Sequence, residues 1–348
     1  MSEQPVRVSK SDLKAFSAAL LMTGDVSADL ATQWADVLVW ANLRGVDSHG
    51  VLRIPRYLDL IAKGAINPRP QMKMERESGA IAVLEADHAP GAVAMTRAMD
   101  AAIERARAVH IGWCAARNIT HAGAIGYYAL QAARAGMAGI VMTASGPLMA
   151  YHGARVSGVS TNPPSIAVPG KTHRPLLLDM STSTVSLGKV MNARDRGAHI
   201  PHGWGIDAEG RDTTDPKKVA TLTPLGGPKG SGLSLMIECL TSLAVGNPLI
   251  TRALLGGGPA DSPILNGVAI AVDLAALGDL GAFTGEVDRV SDAIAALPRA
   301  DGVDRILLPG ERGDATLAER EKSGIPVPQG TWSRLVAVAS AGGIEVPG

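Results

Sequence analysis

Residues 111–135 read IGWCAARNITHAGAIGYYALQAARA, and the order of patterns within them decides the class of fold. The run at 111–116 is short and apolar, as in a strand. From 125 to 135 the apolar residues recur at helical spacing. A strand, a turn of small residues and a helix in succession make an α/β unit. His121 lies in the turn, at the edge where α/β proteins display reactive side chains.

The same alternation extends both ways along the chain. Strand-like runs at 81–84, 139–143, 164–168, 176–179, 268–272 and 305–308 alternate with helical patterns at 91–108, 183–196, 229–244 and 283–297. The spacing predicts a mixed α/β body in three layers. Upstream the pattern is helical: Ser9 or Ser11 caps a helix that stops at Gly24, and Ser27 opens another that ends at Gly45. That second helix carries Leu30, Trp34, Val37, Leu38 and Ala41 on one stripe. A third at 55–63 is closed by Gly64. Residues 315–343 return to helical spacing and can fold back on the N-terminal helices, while 199–224 and 246–266 read as long loops.

Composition narrows the function. The 348 residues are 46% hydrophobic and 19% charged, which suits one large domain or two ordinary ones. With 33 basic and 33 acidic residues and no long run of one sign, neither nucleic acid nor an anionic membrane is an expected partner. The N-terminal residues show no signal pattern, and no run approaches the ~20 apolar residues of a membrane span. Cys114 and Cys239 belong to no CxxC pair and read as reduced thiols of a cytoplasmic protein. The 40 glycines imply backbone brought close to a ligand, or helices packed tightly.

Several familiar signatures are missing. There is no GxGxxG, no GxSxG nucleophile elbow and no HExxH zinc helix, and no histidine spacing argues for a metal. Gly226-Gly227-Pro228-Lys229-Gly230-Ser231-Gly232 opens a helix but fits neither a dinucleotide fingerprint nor a Walker loop.

Three segments concentrate reactive groups. Ser48 and His49 sit in a turn between helices, followed by Arg53 and Tyr57 four residues apart on one helical face. An arginine fork can grip a carboxylate or phosphate; a capped connecting turn with a surface ion pair explains the same residues. His121 titrates near neutrality and can move an alcohol proton, or it caps its own loop. Asp179, Met180 and Ser181 end one strand and begin a helix carrying Lys189, while Lys229 opens another. Amides at such helix starts favour phosphate, although plain N-capping and solvated lysines are the alternatives. His152 reads as a loop histidine with one hydrogen bond.

At these motifs the chain resembles the malate/L-lactate dehydrogenase type 2 family, also called sulfolactate dehydrogenase-like. That family includes ureidoglycolate and sulfolactate dehydrogenases, diketogulonate reductase, and reductases of piperideine- and pyrroline-2-carboxylate. The resemblance is carried by Gly45-Val46-Asp47-Ser48-His49-Gly50 with Arg53, and by Thr120-His121-Ala122-Gly123-Ala124-Ile125-Gly126-Tyr127. It continues through Thr161-Asn162-Pro163, Leu178-Asp179-Met180-Ser181-Thr182 with Gly188-Lys189, and Ile200-Pro201 through Thr213-Thr214-Asp215-Pro216. Pro224-Leu225-Gly226-Gly227-Pro228-Lys229-Gly230 and Leu308-Pro309-Gly310-Glu311 complete it, in family order over nearly the whole chain.

The resemblance implies an NAD- or NADP-dependent oxidoreductase moving a hydride between nicotinamide and the alpha carbon of a small 2-hydroxy or 2-oxo acid. It implies a homodimer with a non-Rossmann cofactor domain, a largely antiparallel sheet flanked by helices, at 76–311. A helical domain comprises 1–75 and 312–348. His121 is then the catalytic acid/base, with His49 and Asp179 as competitors for that role. Ser48, Arg53, Tyr57 and Thr161 face substrate. Ser145, Asp179, Met180, Ser181, Lys189, Lys229, Gly230, Pro309, Gly310 and Glu311 face the cofactor, with no metal. The sequence departs from the family at Ser160-Thr161-Asn162-Pro163-Pro164-Ser165 and at Tyr151, which alters the pocket floor. The block around His121 is closer to the ureidoglycolate and sulfolactate branches, which favours a hydroxy acid. A cyclic imine reductase, and a ligand-binding protein without catalysis, are the other readings.

Overall fold

The computed structural model describes residues 4–257 and 262–347. The chain opens with β1 (Val6–Val8), α1 (Lys10–Met22), α2 (Ala28–Leu43) and α3 (Ile54–Ala62). Ser9, not Ser11, caps α1, its Oγ accepting from the Asp12 N–H at 3.1 Å. Gly45, at φ +75°, terminates α2, and Pro55 lies in the first turn of α3. On α2 the residues Trp34, Val37, Leu38 and Ala41 are buried as their spacing requires, with Leu30 only partly so.

β2 (Lys73–Ser78), β3 (Ile81–Glu85), α4 (Gly91–Val109), β4 (Ile111–Ile119), α5 (Gly126–Arg134) and β5 (Met137–Ala144) follow. Then come β6 (Met149–Ala150), β7 (Ser157–Val159), β8 (Pro164–Val168), β9 (Leu176–Asp179), α6 (Leu187–Asp195), β10 (Gly205–Ile206) and β11 (Thr221–Leu222). The chain finishes through α7 (Pro228–Glu238), α8 (Ile250–Leu254), β12 (Leu265–Asp273), α9 (Leu280–Ala295), α10 (Glu311–Ser323), β13 (Ile325–Val327) and α11 (Gln329–Gly342).

The main sheet has seven strands in the order β2-β3-β4-β12-β5-β8-β9. Only β3 and β4 pair in parallel; every other neighbouring pair is antiparallel. Side chains of β12 alternate between two layers. Ala269 and Ala271 join the main core with α4 and α5, whereas Val268 and Ile270 join a separate cluster with Ala115 and Val245. The body is therefore mixed α/β, with helices packed against the sheet.

Several expectations need correction. Residues 305–308 are not a strand: the segment makes one backbone bond to β9, from Leu177 N–H to Pro309 O at 3.1 Å, before Gly310 turns at φ +90°. The helix expected at 183–196 starts only at Leu187, because Ser183 and Thr184 are engaged by the segment at 223–224. The helix expected at 229–244 changes to a π turn over Cys239–Leu243. The helical spacing at 315–343 is broken by β13, which pairs antiparallel with β1. Strand β2 escaped the sequence pattern because five of its six residues are exposed and no apolar alternation is needed. The loop expected at 199–224 is partly a wall: β10 and β11 extend a four-stranded sheet with β6 and β7. Of the loop expected at 246–266, α8 occupies part and residues 258–261 lie outside the described residues.

Tight packing accounts for some of the glycine. A Cβ on Gly112 of β4 would lie 1.8 Å from the Ala102 carbonyl oxygen of α4, and one on Gly139 of β5 would lie 2.3 Å from that of Ala129 in α5. Both neighbours are helix backbone, which cannot swing aside. Gly112→Ala is accordingly expected to cost ~1–3 kcal/mol through overpacking. A urea midpoint equal to the parent's would contradict that contact.

Candidate active site

His121 is fixed from both sides. Asn118 bends the chain at φ +54°, its side-chain amide held by Glu85 and Asn247 and its backbone N–H donating to Asn266 Oδ1. Thr120 donates both N–H and hydroxyl to Ala89 O, at 3.1 and 3.0 Å. The α4 start presses on the same turn, since a Cβ on Gly91 would lie 2.2 Å from Thr120 O. Beyond the turn, Tyr128 Oη donates to Ala122 O at 2.5 Å and the Gly126 N–H donates to Asp179 Oδ2 at 2.8 Å.

The helical segment brings its own reactive groups to that imidazole. Tyr57 Oη and His121 Nδ1 are 2.7 Å apart, which leaves Nε2 for a ligand. The His49 and His121 rings stack with centroids 5.3 Å apart. Ser48 Oγ lies 2.9 Å from His49 Nδ1, and Arg53 Nε donates to Ser48 O at 2.7 Å. Tyr57 itself is buried behind His121 and packs on Trp34 at 4.8 Å.

Ser48, His49, Arg53, His121, Ser145, Thr161, Asp179, Met180, Ser181 and Lys189 line one cavity of about 1060 Å³, whereas Tyr57, expected to face substrate, is buried outside the lining and reaches the cavity only through His121. The structure thus brings together segments distant in sequence. Gly310 lies on the same wall, whereas Pro309 and Glu311 flank a second, smaller pocket on the other side of their turn. Lys229 and Gly230 are outside the lining, although Leu225 N–H donates to Thr182 O at 2.9 Å and keeps their turn beside Ser181. His152 is exposed and lies against Gly227. Among the described residues no group of three or more His, Cys, Asp or Glu is arranged to hold a metal.

Sequence reasoning missed part of the wall. Trp40, Arg44, Trp204, Ile200, Arg196 and Arg312 also line the cavity. Their signals were weak: each is an ordinary helix or loop residue until the chain folds. The lining carries Arg44, Arg53, Lys189, Arg196 and Arg312 against two carboxylates, Asp47 and Asp179; Arg44 is paired with Asp314 and Asp47 with Arg320.

The site sets unusual protonation states. Burial, helped by the Arg53 charge, pushes His49 down to about 4. Burial, the neighbouring His49 and Arg53 hold His121 well below the ordinary histidine value. Burial raises the Tyr57 phenol, so it keeps its proton. Asp179 is open to the cavity yet surrounded by protein; that loss of bulk water raises it to about 6, against the Gly126 N–H bond and the Arg44 charge. The site therefore offers neutral imidazoles and a carboxyl that can carry a proton near neutrality.

Comparison with known proteins identifies the family. The family model described as malate/L-lactate dehydrogenase matches residues 8–336. A malate dehydrogenase of Pyrococcus abyssi is 36% identical over 99% of this chain and 97% of its own. A ureidoglycolate dehydrogenase (NAD(+)) of Escherichia coli O157:H7 is 37% identical over 70% of each chain. The structure of malate dehydrogenase from Pyrococcus horikoshii OT3 superposes with a TM-score of 0.89 at 33% identity, covering 100% of this chain and 99% of that one. With nearly its whole length matched, the chain belongs to the malate/L-lactate dehydrogenase family.

Proposed function

We propose that this protein is a 2-hydroxy acid dehydrogenase that uses NAD or NADP. The observation that carries the reading is the convergence of His121, His49 and Arg53 on one large cavity. Its volume, near 1060 Å³, suits a dinucleotide together with a small acid, and its excess of cationic side chains suits pyrophosphate and carboxylate. Ser145, Met180, Ser181, Lys189 and Gly310 would hold the cofactor within that wall, with Lys229, Gly230, Pro309 and Glu311 at its margins.

The bound nicotinamide supplies hydride chemistry at the alpha carbon. The protein's share is orientation and proton movement. Arg53 grips the substrate carboxylate with the guanidinium nitrogens not used on Ser48. In the oxidation direction His121 Nε2 takes the hydroxyl proton as the C=O bond forms, and Nδ1–H donates to Tyr57 Oη. Burial is the main cause of the depression of both imidazoles, and a carboxylate beside Arg53 offsets the smaller share that comes from the Arg53 charge, which favours His121 as a base. Reduction reverses these steps. Thr161 and Ser48 complete the substrate wall.

The raised Asp179 favours a second reading, proton delivery to a cyclic imine carboxylate. Assay of 2-hydroxy acids, 2-oxo acids and cyclic imines with both nicotinamides separates the two. Turnover of hydroxy or oxo acids is expected; turnover confined to imines would replace the first reading with the second. Cofactor binding seen by nicotinamide fluorescence without any turnover would overturn both.

The same reading includes a homodimer and a cofactor domain other than a Rossmann fold. Leu233, Met236, Leu240 and Leu243 form an exposed apolar stripe along α7 and the π turn, a face that a second copy would cover. The antiparallel pairing of β12 with both β4 and β5 supports a cofactor domain of another type at 76–311. The contact of α1 with α11 supports a helical domain formed by 1–75 and 312–348. No described helix is long and apolar enough to cross a membrane. Cys114 and Cys239, both free thiols, suit the reducing cytoplasm.

A further inference from the structure

Helix α10 and the turn carrying His49 hold each other by two guanidinium clamps that run in opposite directions. Arg44, at the end of α2, reaches up to α10: it donates to Gly310 O at 2.8 Å and pairs with Asp314 Oδ1 at 2.5 Å. Arg320, near the other end of α10, reaches back. Its two terminal nitrogens bond Asp47 Oδ1 and Oδ2 at 2.7 and 3.2 Å, and one also donates to Asn42 O. Asn42 closes the frame, donating to Asp47 Oδ1 at 2.7 Å and accepting from the Val51 N–H at 2.9 Å. The fit is close, because a Cβ on Gly50 would lie 2.1 Å from Asn42 Oδ1. Between Asp47 and Val51 stand only Ser48, His49 and Gly50, and Arg53 is tied to Ser48 O.

We propose that Arg320 is a positioning residue for the reaction. Its fork on Asp47 holds the Asp47–His49 turn, and through it the His49 imidazole and the Arg53 guanidinium, at the geometry the substrate needs. Arg320 is not itself in the cavity lining and lies 273 residues after Asp47, so local sequence reading gives it no role. The ion pair is partly open, with side-chain exposures of 13% and 34%, so solvent screens part of its contribution to global stability. Misplacing a substrate-orienting group by ~1 Å, in contrast, can cost ~100-fold in rate. The kinetic effect should therefore outweigh the thermal one.

The inference rests on the dehydrogenase reading, and the test separates the two. Arg320→Gln and Asp47→Asn are each expected to lower kcat/KM for the hydroxy acid by ~10–100-fold. Nicotinamide affinity, read by fluorescence titration, should stay within about twofold. The double variant should be no worse than either single one, since both remove the same clamp. Arg320→Lys should recover part of the loss by keeping one charged bond. Glu319→Gln, on the same helix but paired outward with Arg7, serves as the control and should match the parent. A parental kcat/KM in Arg320→Gln, or additive losses in the double variant, would overturn the proposal. A nitrogen-labelled histidine NMR spectrum reads the displacement without turnover. The His49 ring signals should move in Arg320→Gln and not in Glu319→Gln; unmoved signals in both would overturn the proposal even if no substrate is turned over, a failure that would concern the dehydrogenase reading separately.

Discussion

His121→Ala is expected to lower kcat by ~10²–10⁴-fold while leaving nicotinamide affinity almost unchanged, the range attributable to one positioned acid/base. Three observations support the proposal of this imidazole over its stacked neighbour. Its Nδ1 is bonded to Tyr57, its backbone is locked by Thr120 and Asn118, and Nε2 is left for the substrate. His49→Ala should cost less, since in the proposed arrangement His49 only borders the carboxylate beside Arg53. A larger loss in His49→Ala than in His121→Ala would transfer the proton to His49. The pH profile adds an independent check. In the oxidation direction the acting imidazole must be neutral, and its depressed value extends the neutral form to more acidic pH. The plateau in kcat/KM should thus persist downward through the ordinary histidine value of about 6.5. Any acid limb near 6 belongs to Asp179, whose carboxyl is raised to about 6, and should vanish in Asp179→Asn.

How legible this site was depends on the kind of residue. Strands β8 and β9 coincide with the apolar runs at 164–168 and 176–179, since Pro169-Gly170 stops the first and Pro175 precedes the second. His121, His49 and Arg53 were readable as reactive types in short turns, and folding supplied the proximity. Pairing direction was not readable from periodicity, since parallel and antiparallel strands share a period of two; only the resemblance pointed to antiparallel neighbours. The clamp residues were hidden for a different reason. Asn42, Asp47 and Arg320 look like a helix-end polar pair and a helix-surface arginine, and nothing local joins positions 47 and 320. Long-range polar contacts carry no periodic signal. Hydrophobic stripes announce themselves repeatedly; a guanidinium fork announces itself only once its partner is in place.

Arg53→Leu carries the other large expectation. The Arg53 Nε is spent on Ser48 O, so the remaining guanidinium nitrogens are the ones available to a carboxylate beside His49 and His121. Removing one partner of a hydrogen-bonded charge pair in a partly desolvated site costs ~2–5 kcal/mol. At ~1.4 kcal/mol per factor of ten, that is a loss of ~30- to ~4000-fold in kcat/KM. If the carboxylate is gripped equally before and during the reaction, the loss appears as a higher KM; if the grip also aims the alpha carbon, kcat falls as well. Arg53→Lys should fall between, because an ammonium keeps the charge and loses the fork. The substitution has a second consequence that does not need a substrate. Arg53 helps hold His49 at about 4, so in Arg53→Leu that imidazole should titrate closer to the ordinary histidine value. A shifted His49 with an unchanged KM would be the telling combination. It would leave the electrostatics intact as described but move the carboxylate across the cavity, to the wall formed by Lys189, Arg196 and Arg312.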